Sequence, residues 1–170
     1  LNRQGISAFV LWDRLNPYPA PVPFLDLQRA VRYVKYYADE YGLNPQKVGV
    51  IGFSAGGHAC ASLVNILRNR PVETPGYLPD GVDAVDSRVA LAGLIYPVID
   101  LTYNPGILFA LAGPEAVRDA KSRQALIERY RPTDFIQAKD PPQFLCYGTK
   151  DELVDPQGLI TYQRALDQKG

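Results

Sequence analysis

The chain has 170 residues, the span of one domain. Apolar residues make up 46% and charged residues 21%, which excludes a chain that is mainly disordered. Lys plus Arg and Asp plus Glu each number 18, so the basic excess that marks a nucleic-acid or anionic-membrane partner is missing, and neither partner is expected.

The longest uncharged apolar stretch, Val89–Ile99, has 11 residues, against the roughly 18–20 that span a bilayer. Two cysteines, Cys60 and Cys146, are too few for a disulfide scaffold, and free thiols are the default. The chain begins at Leu1, contains no methionine and has one histidine, His58; it reads as a piece of a longer chain.

In chain order, Ile6–Trp12 (ISAFVLW) reads as a buried strand. The proline-rich segment Asn16–Pro23 is a connector, since it can continue neither helix nor central strand. Leu27, Val31, Val34, Ala38 and Tyr41 recur at helical spacing, with Asp26 near the start and Gly42 just past the end. Lys47–Phe53 (KVGVIGF) is a second strand, broken by the glycine-rich run Gly52–Gly57, and a helix follows to about Leu67. Asn69–Ser87 reads as an excursion. Arg88–Tyr96 is a third strand, and from Asp100 to Asp134 the pattern loosens around one helix at Glu115–Tyr130. Gln143–Gly148 is a fourth strand. Asp155-Pro156 then looks like an N-cap with proline in the first turn of a last helix. Strand and helix alternate and the strands are apolar throughout, which predicts a doubly wound, mostly parallel α/β sheet.

The sharpest local pattern is GFSAGGH, Gly52–His58. G-x-S-x-G arises by chance in roughly one chain in twenty of this length, so its setting between a buried strand and a helix matters more than the motif itself. A tight strand-to-helix turn pushes Ser54 out above the strand end as a candidate nucleophile. Gly52, Gly56 and Gly57 form the elbow, with Gly52 and Gly56 removing side chains where backbones crowd. The N–H of Ala55 is the candidate oxyanion donor.

GFSAGGH after a strand, with VLWDRLNP (Val10–Pro17), the Y-P-V-x-D ending of Arg88–Asp100 and QFLCYGTKDELVDP (Gln143–Pro156), resembles the esterase/lipase branch of the α/β-hydrolases. More narrowly, it is similar to bacterial carboxylesterases and acetyl-xylan-esterase-like hydrolases. The resemblance covers nearly the whole chain and implies the middle portion of an α/β-hydrolase fold. It also implies a serine hydrolase of small carboxylic esters, short-chain or acetylated-sugar, working through an acyl-enzyme on Ser54. Asp151, in the acid loop after the fourth strand, is then the acid that orients a histidine. Tyr147 stands where the family often has histidine.

Asp100, after the third strand, is the rival acid, and Asp155 is explained as a cap. His58 is rejected as the base. It lies one turn into the helix, which runs away from Ser54, and a helix N-terminus disfavours an imidazolium. The catalytic histidine is expected beyond Gly170 and a second oxyanion donor before Leu1. The 100–134 segment is expected to act as a cap, with Tyr103, Ile107, Leu108, Phe109 and Leu111 offering an apolar pocket. Tyr33, Tyr36, Tyr37 and Tyr41 are read as packing rather than as a carbohydrate platform.

No metal-ligand spacing, dinucleotide fingerprint or phosphate loop is present, so no cofactor and no metal is expected. The expected partner is a small-molecule ester; a homo-oligomer stays open. An amide- or peptide-cleaving enzyme of the same fold and a non-catalytic binding protein are the alternative functions.

Overall fold

Four-residue runs of branched and small apolar residues carry the sheet. In the computed structural model, which describes residues 1–15, 17–74, 76–116 and 119–169, these runs are β1 (Val50–Phe53), β2 (Ala92–Ile95) and β3 (Gln143–Cys146). They pair in parallel in the order β1-β2-β3, with Val50, Ala92 and Gln143 in register at one end and Phe53, Ile95 and Cys146 level at the other. The three carboxyl ends therefore deliver their loops to the same edge of the sheet.

The proline-rich connector enters its helix earlier than its composition suggests. Pro21 is the cap and Pro23 lies in the first turn of α1 (Val22–Tyr36), where a missing N–H costs nothing and the fixed φ suits the helix. Phe24, Val31 and, unexpectedly, Gln28 and Arg32 face the core. Past Tyr36 the chain runs in turns to Gly42, which takes φ 65°. After β1, α2 (Ala55–Ala61) runs directly into a π-helical segment, Ser62–Leu67. The helix expected to reach Leu67 thus has the right extent, with wider turns in its second half.

One largely buried polar ring ties the layers together. Asn65 Nδ2 donates to Tyr162 Oη (2.6 Å), Tyr162 donates to Gln143 Oε1 (2.5 Å), and Gln143 Nε2 donates to Asn65 Oδ1 (2.9 Å). It joins the helix after β1, strand β3 and α5 (Pro156–Lys169), on the sheet face that also carries Val50, Ala92 and Leu94. The opposite face bears Ile51, Phe53 and Phe144, which are 61%, 55% and 64% exposed. Strands apolar on both sides were expected to be covered on both sides; among the described residues, helices lie over one.

Two expectations change. Ile6–Trp12 is not a strand: it has no ladder partner, and Val10 and Trp12 are 92% and 95% exposed. An apolar run becomes a strand only where a neighbouring edge takes its backbone groups. Here the segment is held by side chains instead, Phe9 stacking on Tyr41 at 5.3 Å and Arg14 pairing with Asp26 at 2.6 Å.

The 100–134 segment holds two helices. These are α3 (Pro105–Ala116), kinked at Gly113 and Pro114, and α4 (Ala120–Tyr130), capped by Asp119. The expected helix at 115–130 includes positions 117 and 118, which lie outside the described residues; of the rest, 115 and 116 close α3 and 119–130 are α4 with its cap. Helix α3 is apolar on every side up to its kink, so it lacks the one-sided stripe by which a helix is read from sequence.

Candidate active site

The turn between β1 and α2 forces Ser54 into a left-handed backbone, φ 53° and ψ −117°. A non-glycine residue adopts this only where its surroundings hold it there. The surroundings are visible. Ser54 N–H donates to Ile95 O at 3.0 Å, locking the turn to the end of β2. Ser54 O accepts from His58 N–H (3.1 Å) and from Val98 N–H (3.2 Å).

Two glycines make the turn possible. A Cβ on Gly52 would overlap the Gly56 carbonyl and stand 2.7 Å from Gly57 N, and a Cβ on Gly57 would stand 2.7 Å from Pro97 Cβ. Gly56, expected to be crowded, has open space where a Cβ would go. What matters at Gly56 is its backbone, which Gly52 approaches. Ser54 is half-buried, and Ala55, the first residue of α2, is exposed.

Asp151 lies in the loop after β3, at the same edge of the sheet. Its Oδ1 accepts from Leu153 N–H and Val154 N–H, both at 2.9 Å. These two donors hold its carboxyl below the ordinary carboxylate range. Asp100 is engaged differently. Its Oδ1 accepts from the N–H and hydroxyl of Thr102 (2.7 and 2.6 Å), and a Cβ on Gly158 would come within 2.8 Å of Asp100 Cβ. Asp100 is thus pressed against the first turn of α5. Asp155 caps that helix through Gln157 and Gly158 N–H, as its sequence setting implies.

His58 is 2% exposed. Its Nδ1 lies 2.6 Å from Val98 O, and since a carbonyl only accepts, Nδ1 carries the proton. Nε2 is buried and has no partner among the described residues, and the ring packs on Phe24 at 5.3 Å. Burial pushes its pKa down to about 4, so the ring is neutral near pH 7. The tyrosines at the end of α1 and just past it pack on one another, Tyr33 tilted against Tyr37 at 4.6 Å and Tyr36 meeting Tyr37 edge to face at 4.9 Å. Cys60 and Cys146 are free thiols, and burial raises that of Cys60 to about 12.

Sequence reading missed the role of the loop after β2. Tyr96 is left-handed (φ 36°) and partly exposed, and Pro97 is buried against Gly57. Further on, Leu101, Thr102, Gly106, Leu108, Phe109, Arg123 and Ile127 line a cavity of about 500 Å³. Leu108 and Phe109 are two of the residues expected there; Arg123 is not. The only sequence cue to the turn was the Tyr-Pro pair closing the strand.

A serine held in a strained strand-to-helix turn, with an acidic loop after another strand of the same parallel sheet, belongs to the α/β-hydrolase fold. The BD-FAE family model matches residues 13–166, and the chain belongs to that family. The chain is 32% identical over 157 residues to the probable carboxylic ester hydrolase LipM of Mycobacterium tuberculosis, covering 88% of this chain and 35% of that protein. It is 29% identical to an acetylxylan esterase of Xylanibacter ruminicola, covering 91% of this chain and 29% of the relative. It also matches the crystal structure of an acetyl ester-xyloside bifunctional hydrolase from Caldicellulosiruptor lactoaceticus. There the TM-score is 0.83 and the identity 32%, with 99% of this chain and 59% of that one covered. The chain thus spans about a third of the length of the curated relatives it matches. Among the described residues, no helix is long and apolar enough to cross a membrane.

Proposed function

We propose that the protein containing this chain hydrolyses small carboxylic esters, short-chain or acetylated-sugar, through an acyl-enzyme on Ser54. The observation that carries this is the left-handed Ser54 at the β1–α2 turn, held by Ile95 and Val98 and permitted by Gly52 and Gly57. A backbone under strain at such a turn supports a functional rather than a packing role.

Ser54 Oγ attacks the ester carbonyl carbon and its proton passes to a histidine, which hands it to the departing alcohol oxygen. Water then attacks the acyl carbon, giving its proton to the same histidine. The acid leaves and Ser54 regains its hydrogen. The N–H of Ala55 donates to the oxyanion. Asp151 orients the histidine with its carboxylate. The base is a histidine from another part of the protein, because His58 is buried, is held to Val98 and is made a weak base by that burial. Residues 100–134 act as a cap, and the cavity of Leu101, Leu108, Phe109 and Ile127 takes the acyl chain. The relatives named as an ester hydrolase and an acetylxylan esterase support this substrate class.

The test is labelling of the full-length protein with a fluorophosphonate, paired with turnover of p-nitrophenyl acetate. Labelling at Ser54 and loss of turnover in Ser54→Ala are expected. Asp151→Asn should lower kcat by about 10²–10⁴, while Asp100→Asn stays within about tenfold of the parent. Labelling elsewhere, or unchanged turnover in Ser54→Ala, refutes the nucleophile; reversed behaviour of the two aspartates refutes Asp151.

A further inference from the structure

The loop after β2 is fastened to the elbow at three points. Pro97 sits against the bare Cα of Gly57. Val98 N–H donates to Ser54 O at 3.2 Å. Val98 O accepts the buried Nδ1 proton of His58 at 2.6 Å. The first is a packing contact and the second runs between backbones, so His58 is the only side chain whose hydrogen bond makes this tie among the described residues. Three residues after Val98, the same loop supplies Leu101 and then Thr102 to the cavity wall. Ser54 and the cavity wall are thus joined through the first turn of α2, His58, Val98 and Leu101.

We propose that His58 is a positioning residue that sets the acyl-length preference of the site by fixing the cavity-lining loop relative to Ser54. This rests on the reading of Ser54 as the nucleophile and of the cavity as the acyl pocket. His58 touches no reacting atom. It does the work of a peg: a neutral ring, buried against Phe24, whose single donor meets a backbone carbonyl forty residues away in sequence. A buried donor with one acceptor holds that acceptor firmly, because neither group has water as an alternative. Without the peg, the backbone bond and the Pro97 contact remain, and the loop relaxes by fractions of an ångström. Displacements of that order are enough to alter rates where the reacting carbon is held by its acyl chain.

The experiment uses the full-length protein as parent, His58→Leu and His58→Asn. Asn Nδ2 stands at the position of the imidazole Nδ1 and can donate to Val98 O; Leu fills volume and cannot. Three readings are taken: fluorophosphonate labelling of Ser54, kcat/KM for p-nitrophenyl acetate against p-nitrophenyl hexanoate, and the pH profile of kcat/KM. Ser54 should label in all three proteins. The acetate-to-hexanoate ratio should move by about tenfold or more in His58→Leu and return to within about threefold of the parent in His58→Asn. The acidic limb of the pH profile should keep its position throughout.

A ratio unchanged in His58→Leu, whatever happens to its melting temperature, overturns the proposal and leaves His58 a packing residue. His58→Asn as inactive as Ser54→Ala, with the acidic limb lost, overturns it by making the imidazole the base. No label on Ser54 in the parent overturns the nucleophile reading, and this inference with it. Should His58→Leu fail to fold, Gly57→Ala perturbs the same tie from its other side, since its Cβ would stand 2.7 Å from Pro97 Cβ. An unchanged ratio in that variant refutes the proposal equally.

Discussion

Lowering the pH should destabilise the protein through His58 before any carboxylate contributes. The imidazole ordinarily titrates near 6.5, and in the fold burial pushes it down to about 4, with the hydrogen bond to Val98 opposing only part of that shift. The unfolded chain therefore takes up a proton between those two values that the folded chain refuses. The stability due to the neutral ring is complete above pH 6.5 and is lost as pH falls toward 4, below which both states are protonated and the loss levels off. At about 1.4 kcal/mol for each unit of pH, the loss across that window reaches about 3 kcal/mol.

Carboxylates act lower. Asp80, held to about 2 chiefly by its hydrogen bond from Arg29, loses its contribution only as pH falls below the ordinary carboxylate range. The assay is urea unfolding of the full-length protein and of His58→Asn at pH 7, 6, 5 and 4. His58→Asn keeps a donor for Val98 and has nothing to titrate. The stability advantage of the parent should shrink by about 3 kcal/mol from pH 7 to pH 4. A constant difference across that range, or one that grows on acidification, refutes the neutral buried ring.

Two stability contrasts follow from the same elbow and core. Gly52→Ala, whose Cβ would overlap the Gly56 carbonyl, should cost about 3 kcal/mol or more. Gly56→Ala, with open space around its Cβ, should be neutral or stabilising by up to about 1 kcal/mol. Equal urea midpoints for the two variants would show that the close approach is not as described. Tyr162→Phe removes one member of the Asn65–Gln143–Tyr162 ring, leaving Gln143 Oε1 without its donor and Asn65 Nδ2 without its close acceptor. It should cost about 1–3 kcal/mol in urea unfolding, and an unchanged midpoint refutes the ring as a stabilising unit.

Whatever depends on a few consecutive residues was legible beforehand. Gly52–His58 announced a strand-to-helix turn because the crowding that Gly52 relieves is confined to six residues, and Ser54 sits in it with the left-handed φ such a turn needs. Asp155-Pro156 marked the start of α5 because a cap and a first-turn proline act within three residues. Apolar runs located β1, β2 and β3, although their ends were set by pairing and came out shorter than the runs themselves.

What escaped was decided at a distance. Ile6–Trp12 has the composition of a strand, but pairing depends on a neighbouring edge, which no local pattern contains. Helix α3 carries no periodic stripe because all its sides are apolar up to the kink at Gly113, so nothing in that run distinguishes helix from strand or loop. Which glycine had to be bare, 56 or 57, depended on Pro97 arriving from forty residues further along. The same arrival gave His58 its acceptor in Val98. Local backbone preference and hydrophobic spacing belong to the sequence; burial, and the charge and hydrogen-bonding state that burial imposes on a side chain, exist only once distant segments pack together.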